Sequence, residues 1–309
     1  MDSKSSAKFA ASVLSRGLAR ESGALAMWAE LVKARLNSLV LLTTLVGFYL
    51  ADAGPLNWPG LMHALLGVGL LAAGGAALNE WMEREEDGRM PRTQHRPLPS
   101  GWMQPRTAFG VGTGLAAVGL GYLAWTCNGL SALLGAVTLG SYLLLYTPLK
   151  RRVWWNTWVG AIPGALPPVI GWAAARGSLD AGAWALFGIV ACWQMPHFFG
   201  IAWMYRDDYA RAGFRMLPQF DPTGIRTGRQ AVGWTLLLLP VSGLPWYLGL
   251  TGDLYLGAAA VLGLAYLGAA LQLARQRTDR AARRLFLASI LYLPVLLVFL
   301  VLDKVRWTP

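Results

Sequence analysis

The chain has 309 residues, of which 55% are hydrophobic and only 14% are charged. This composition is too apolar for a soluble domain of that length. The formal net charge is +11, but the basic residues recur between apolar runs and form no single patch, so the charge does not indicate a partner nucleic acid. The two cysteines have no neighbours at metal-ligand spacing and indicate neither a disulfide framework nor a zinc site. The composition predicts an all-α, polytopic membrane protein.

Residues 1–35 form a polar, basic amino-terminal tail. The tail has no apolar core long enough for a cleaved signal peptide, so we expect it to stay in the cytoplasm. Its serine and arginine content with few acids also resembles a mitochondrial transit peptide, which remains open as an alternative.

Nine apolar runs follow the tail, each close to the ~17–25 residues that a helix needs to cross a bilayer. They predict an intramembrane domain at 36–303 and a short carboxyl-terminal tail at 304–309. In the third run, the spacing of Gly110 and Gly114 is suited to close helix contact. The runs lie at residues 36–51, 60–79, 107–125, 130–149, 153–174, 182–204, 231–249, 253–273 and 285–302.

The loop charges predict an orientation. If the amino terminus is cytoplasmic, all of the 27 Lys and Arg residues except Arg176, Lys304 and Arg306 lie on the cytoplasmic side. By the positive-inside rule the carboxyl terminus is then external. The membrane is predicted to be the bacterial inner membrane, with the mitochondrial inner membrane as the alternative.

The most unusual stretch follows the second apolar run, where five carboxylates occur within eight residues. If the helix continues through them, Asn79, Glu83 and Asp87 recur every four residues and share one face, whereas Glu85 points away. Like charges packed so closely repel one another unless they bind protons or a cation. The five acids are Glu80, Glu83, Glu85, Glu86 and Asp87.

A magnesium ion would relieve this repulsion, because it is commonly bound by one or two carboxylates and completed by substrate phosphate oxygens. Arg92 and Arg96 follow the acids and would then hold the phosphates. The alternative is a solvated loop of mixed charge that anchors a helix end.

Further charged residues end the fourth and sixth runs on the same side of the membrane. Lys150 and Arg151 are either diphosphate donors or topological anchors. Asp207 and Asp208 are candidates to bind a magnesium diphosphate from the side opposite residues 79–87. The sequence does not decide which of the two faces the site.

His197 precedes Asp208 by eleven residues, so both lie on one helix face about 16 Å apart along the axis. A lone histidine in an apolar helix is either a satisfied interior residue or a ligand contact. Acids are almost absent from the middle of the spans, which argues against an ion-coupled transporter.

Three motifs resemble those of the UbiA-type intramembrane prenyltransferases, and most closely the branch that farnesylates haem. This chain departs from the family at Glu83 and Glu85, where aspartates are usual, and the longer side chains make the metal-ligand assignment there less direct. The motifs are Asn79-x3-Glu83-Arg84-Glu85-x-Asp87-x2-Met90-x-Arg92-Thr93-x2-Arg96-Pro97-Leu98, Tyr146-Thr147-x2-Lys150-Arg151, and Trp193-x2-Pro196-His197 with Arg206-x-Asp208-Tyr209.

The resemblance implies a nine-helix bundle that transfers the farnesyl group of farnesyl diphosphate to the vinyl side chain of haem b, with water addition, giving haem O. It implies that His197 contacts haem. The lipid bilayer is a further partner, and the sequence leaves open whether a downstream haem-modifying enzyme is another. An aromatic or quinone-precursor acceptor is the alternative substrate, and a transporter or non-catalytic haem chaperone the alternative class. The implied catalytic and Mg²⁺-binding residues are Asn79, Glu83, Asp87 and Asp208. The implied diphosphate-binding residues are Arg92, Arg96, Lys150 and Arg151.

Overall fold

The computed structural model describes residues 23–52 and 54–305, and within them the fold is helical, as the composition predicts. Most of the amino-terminal tail and residues 306–309 of the carboxyl-terminal tail lie outside the described residues. Residues 23–31 are helical, and Leu217–Phe220 form a short 3₁₀ turn. The helices are α1 (Ala34–Ala51), α2 (Trp58–Gly88), α3 (Pro105–Thr126), α4 (Gly129–Leu149), α5 (Asn156–Ala165), α6 (Pro167–Arg176), α7 (Ala181–Met204), α8 (Arg206–Ala212), α9 (Ile225–Tyr247), α10 (Asp253–Gln276) and α11 (Asp279–Leu302).

Eight helical segments of the described chain are long and apolar enough to cross a membrane, with α5 and α6 together forming one span. Helix α9 is also long enough, at 23 residues. It is less apolar than the others because Gln230, Pro240, Ser242 and Pro245 interrupt its leucines. Since α9 packs against α7 and α10, the predicted ninth span corresponds to a helix of the bundle, and the count of nine crossings stays a prediction.

Glycines bring neighbouring helices into backbone contact. A Cβ atom on Gly171 of α6 would lie 2.0 Å from the Thr44 carbonyl oxygen of α1. A Cβ on Gly112 of α3 would likewise meet α2, whereas Gly110 and Gly114 have nothing within 4 Å. The contact predicted for Gly110 and Gly114 is therefore wrong, because the α3 face that meets α2 is the one carrying Gly112.

Helix α2 positions the acidic stretch. It starts where the Asn57 side chain accepts a hydrogen bond from the Gly60 backbone N–H at 3.0 Å, with Pro59 in the first turn. It then runs unbroken to Gly88. Its last three turns extend beyond the apolar run, so they carry the carboxylates to one end of the bundle.

Helix α4 ends at the same place. Its Ser141–Tyr146 segment is π-helical, a local widening that shifts the side chains after it around the helix axis. After this segment, the Thr147 hydroxyl accepts a hydrogen bond from Asn79 Nδ2 at 3.1 Å. The ends of α2 and α4 thus meet at one end of the bundle.

Candidate active site

Three side chains of α2 form one buried polar face, as their spacing predicts. Asn79, Glu83 and Asp87 are 1%, 3% and 2% exposed. The Glu85 side chain is 69% exposed and lies 3.6 Å from Arg84. The helix therefore turns the three predicted ligands inward and leaves Glu85 outside.

Glu83 is held by Lys150 from α4. The Lys150 ammonium lies 2.8 Å from Glu83 Oε1 and 3.0 Å from Oε2. Only the contact with Oε2 has hydrogen-bond geometry, so the buried Oε1 atom accepts no hydrogen bond in the described structure. Burial is the largest single influence and alone would lower the pKa of Lys150, but Glu83 together with Tyr146 and Tyr142 raises that pKa above its ordinary value. Lys150 is therefore a charged, largely buried donor.

Asp87 is held by Arg96, which the loop after α2 folds back toward the helix. Arg96 Nη1 donates to Asp87 Oδ2 at 2.8 Å, and the Thr93 hydroxyl donates to the Asp87 carbonyl oxygen at 2.8 Å. Burial is the largest single influence and would lower the pKa of Arg96, but Asp87 together with Glu80 and Glu30 raises that pKa overall. This fold-back places Arg96, a predicted phosphate ligand, directly on Asp87, a predicted metal ligand.

Lys33 is a site residue that sequence reasoning missed. Its ammonium donates to Asn79 Oδ1 at 2.6 Å. Burial, with the nearby Arg96 charge, lowers the pKa of Lys33 to about 8. Because Lys33 precedes the first apolar run, its charge looks like a topological anchor in the sequence. Only tertiary packing reveals its contact with α2.

Two further acids of α2 are also buried. Glu80 is fully buried and its Oε1 atom accepts the Leu98 backbone N–H at 3.1 Å, so it fixes the loop that carries Arg96. Glu86 Oε2 accepts from Arg151 Nη2 at 2.8 Å. The charge of Arg151 is thereby neutralised beside α2.

Arg92, in the loop after α2, contacts two tyrosines that follow α7. Its guanidinium lies 5.2 Å from the Tyr205 ring centre and 5.0 Å from that of Tyr209, close enough for cation–π attraction. Arg92 Nε is buried without a hydrogen bond, and no carboxylate in the described part of the chain forms an ion pair with it. Arg92 is therefore a positive group available to an anion.

Asp208 lies near this region but contacts none of the α2 carboxylates. It forms an ion pair with Arg211, one turn away on α8, and its side chain is 17% exposed. Asp207 is exposed. Of the two aspartates, Asp208 is the one packed against the protein, next to the Tyr209 ring that lies under Arg92.

The oxygen donors of α2 fit a hard divalent cation. Two carboxylates and an amide oxygen are ligand types that Mg²⁺ accepts, and Glu83 Oε1 is buried with unused lone pairs. In the described residues no three His, Cys, Asp or Glu side chains lie close enough together to hold a metal ion. Instead, Glu83 is paired with Lys150, Asp87 with Arg96 and Asp208 with Arg211.

His197 lies deeper in α7. Its Nδ1 atom is 2.7 Å from the Ser289 hydroxyl oxygen of α11, and its ring stacks on Trp193 with 5.3 Å between ring centres. The Ser289 hydroxyl lies 2.5 Å from the Phe286 carbonyl oxygen, to which it donates. His197 is thus anchored through one nitrogen between α7 and α11.

A polytopic helical bundle with an acidic face surrounded by cations at one end defines a membrane enzyme suited to a phosphorylated substrate. The family model described as the UbiA prenyltransferase family matches residues 40–294. The chain belongs to this family, as its motifs predict.

Relatives support the same assignment. The protoheme IX farnesyltransferase of Solibacter usitatus (strain Ellin6076) is 48% identical over 284 residues, which are 89% of this chain and 97% of that protein. The fold is similar to a solved digeranylgeranylglyceryl phosphate synthase, with a TM-score of 0.76, 16% identity and coverage of 90% and 98% of the two chains. It is also similar to a UbiA homolog from Archaeoglobus fulgidus bound to GPP and Mg²⁺, with a TM-score of 0.64, 17% identity and coverage of 89% and 99%.

Proposed function

We propose that this protein transfers the farnesyl group of farnesyl diphosphate to the vinyl side chain of haem b, with addition of water, and so makes haem O. The relative named protoheme IX farnesyltransferase, 48% identical over nearly its full length, supports the substrate pair. The structural observation that carries the proposal is the buried cluster in which Lys150 and Arg96 each face a carboxylate of α2.

In this cluster the cations serve as diphosphate ligands. We infer that Lys150, Arg96 and Arg92 donate to the phosphate oxygens, since arginine and lysine donors form strong charge-assisted hydrogen bonds with phosphate. Arg151 is the fourth proposed diphosphate ligand, and its guanidinium is paired with Glu86 in the described structure. These donors stabilise the charge that develops on the leaving diphosphate as the allylic carbon–oxygen bond breaks.

Asn79, Glu83 and Asp87 would supply metal ligands from α2, and Asp208 would supply one from α8. A bound Mg²⁺ neutralises the diphosphate and so promotes its departure. The homolog of similar fold that carries GPP and Mg²⁺ supports the use of this ion. These four residues are proposed as the catalytic and metal-binding set.

The reaction balances without a redox partner. Loss of diphosphate leaves an allylic farnesyl cation, and the haem vinyl group attacks it to form a carbon–carbon bond. The positive charge that results next to the macrocycle is captured by water, which loses a proton to give the hydroxyl group. Shielding the allylic cation is a role for aromatic walls such as Trp193 and Phe198.

His197 is proposed to contact the haem. The Ser289 hydroxyl has one proton, and it donates that proton to the Phe286 carbonyl oxygen. It therefore accepts a hydrogen bond from His197 Nδ1–H, which leaves the Nε2 lone pair for the haem iron. His197→Ala should weaken haem binding and change the haem absorption spectrum without affecting farnesyl diphosphate binding. His63→Ala is the matched control, because His63 on α2 is hydrogen-bonded to Tyr122 on α3, away from α7 and α11. An unchanged haem spectrum in His197→Ala would count against the contact.

The proposed setting is the bacterial inner membrane, with a cytoplasmic amino terminus, the domain at 36–303 and an external carboxyl terminus. The loop charges support this orientation. Single cysteines placed in the loop after α2 and in the loop before α10 should react with a membrane-impermeant reagent from opposite sides of sealed vesicles. Labelling of both from one side would contradict the orientation.

Product mass tests the proposed reaction. Purified protein is incubated with farnesyl diphosphate and either haem b or a phenolic acid, with Mg²⁺ or with a chelator. The proposal predicts that haem gains a farnesyl group plus water and that the chelator stops the reaction. If the phenolic acid is prenylated and haem is unmodified, the proposed acceptor is wrong and the substrate is an aromatic compound.

A further inference from the structure

A groove of about 610 Å³ lies between the end of α7 and the first turns of α11, outside the acidic cluster. A volume of this size is within the range of small-molecule sites. One part of the groove is apolar and the other basic, which suits a ligand with a flat apolar body and acidic groups at one edge. Its walls include Met204, Tyr205, Arg280, Arg283, Phe286 and Leu287.

The basic edge of the groove carries positive charge that no ion pair of the described residues neutralises. Asp279, the acid at the rim of the groove, is paired with Arg206 at 2.6 Å. Arg280 and Arg283 take part in no ion pair of the described residues. Being three positions apart on α11, these two arginines are neighbours on one side of the helix. The groove therefore presents two adjacent positive groups beside an apolar surface.

The position of the groove connects it to both parts of the proposed site. Tyr205, which forms one wall, has its ring 5.2 Å from the Arg92 guanidinium on the diphosphate side. Phe286, another wall, has its ring centre 5.1 Å from that of His197. A ligand in the groove would lie next to the prenyl donor and next to the histidine.

The dimensions along α11 are also suitable. Arg283 and Ser289, the residue bonded to His197, are six positions apart, about 9 Å along the helix at 1.5 Å per residue. That is comparable to the distance from a haem propionate to the centre of the macrocycle. A haem with its acidic edge at Arg283 would thus bring its iron to the level of His197.

We propose that this groove is the acceptor subsite, in which Arg280 and Arg283 bind the two propionate carboxylates of haem and the macrocycle packs on Phe286 and Leu287. The inference rests on the proposed function and adds to it the residues that select a tetrapyrrole dicarboxylate. Arginine is suited to this role because its planar fork pairs with a carboxylate through two hydrogen bonds.

A simpler explanation for the two arginines is that they anchor the cytoplasmic ends of α10 and α11 at the membrane surface. Arg284 provides the matched control, because it is exposed on the same turn of α11 but does not line the groove. If anchoring were the only role, neutralising Arg284 would have the same effect as neutralising Arg280 or Arg283.

The test compares binding of protohaem IX and of its dimethyl ester, which lacks both carboxylates, to the full chain in detergent, followed by the haem absorption spectrum. We expect the wild-type protein to bind the ester more weakly than the acid. The double variant Arg280→Gln/Arg283→Gln should bind the acid about 10- to 100-fold more weakly, on the order of one tenfold step per lost charge-assisted contact. Its affinity for the ester and for farnesyl diphosphate should not change, and Arg284→Gln should resemble wild type throughout.

The outcomes separate this inference from the proposed function. If wild-type protein farnesylates haem but the double variant binds haem with wild-type affinity, the subsite is wrong and the function stands. A loss in Arg284→Gln about half that of the double variant on a logarithmic scale, which is the same loss per charge removed, would also overturn the subsite, because it indicates a general effect of surface charge. If wild-type protein neither binds nor farnesylates haem, the proposed function is wrong and the subsite fails with it.

Discussion

Replacing Lys150 with methionine tests the ion pair at the centre of the site. The substitution removes the ammonium that lies 2.8 Å from Glu83 Oε1 and leaves a carboxylate that is 3% exposed. Breaking a buried ion pair by deleting one partner costs about 3–5 kcal/mol, because the remaining charge is uncompensated. Since the Lys150 side chain is 14% exposed, we expect the lower end, about 3 kcal/mol of unfolding free energy.

The double variant Lys150→Met/Glu83→Gln separates stability from function. With the buried charge also removed, most of the lost stability should return. Adding the single variant Glu83→Gln completes a double-mutant cycle, and comparison of all four proteins measures the coupling between the two side chains. Turnover should be lost in Lys150→Met and in the double variant, because both lack a diphosphate donor. Arg152→Gln is the control, since Arg152 is exposed two positions away.

The assay is thermal unfolding of the purified proteins in detergent, scanned at one rate because membrane proteins often unfold irreversibly. Lys150→Met should unfold several degrees below wild type, with the double variant and Arg152→Gln near wild type. If Lys150→Met unfolds at the wild-type temperature, Lys150 does not compensate a buried charge on Glu83, and the description of the cluster is wrong.

Two further predictions concern packing and pH. Gly171→Ala should destabilise the protein strongly, because its Cβ would lie 2.0 Å from the Thr44 carbonyl oxygen. Gly110→Ala is the control and should not destabilise it, because a Cβ there has nothing within 4 Å. Equal melting temperatures of the two variants would refute the close contact of α1 and α6. The pKa of Lys33 is about 8 in the folded protein against an ordinary value of 10.5, so the folded state releases this proton first as the pH rises. The unfolding free energy of wild type relative to Lys33→Met should therefore increase between those two pH values, and a flat or falling difference would contradict the burial of the ammonium.

The spacing of polar residues within one helix was predictable from sequence, but pairing between helices was not. Asn79, Glu83 and Asp87 share a face because the α-helix repeats every 3.6 residues, and that rule needs no partner. The contact of Lys33 with Asn79 spans 46 positions and that of Lys150 with Glu83 spans 67. Such contacts depend on which helix ends meet, and local periodicity carries no information about this.

The same distinction explains what was wrong or missed. Gly110 and Gly114 have the spacing of a contact motif, but spacing does not say which face of α3 meets α2. Glu80 was missed because its burial depends on the loop folding back to bring Leu98 to its carboxylate. The fold class and the family were predictable because motif residues and apolar runs are properties of the sequence itself.

The measurement that tests the central claim most directly is farnesyl diphosphate binding as a function of Mg²⁺ concentration, by calorimetry on the purified chain. If the polar face of α2 binds the diphosphate through Mg²⁺, wild-type protein should bind farnesyl diphosphate tightly only when Mg²⁺ is present. Asp87→Asn and Asp208→Asn should each lose that dependence and all turnover while remaining folded, and Asp207→Asn should keep both. Full Mg²⁺-dependent binding and turnover in Asp87→Asn and Asp208→Asn would contradict the account.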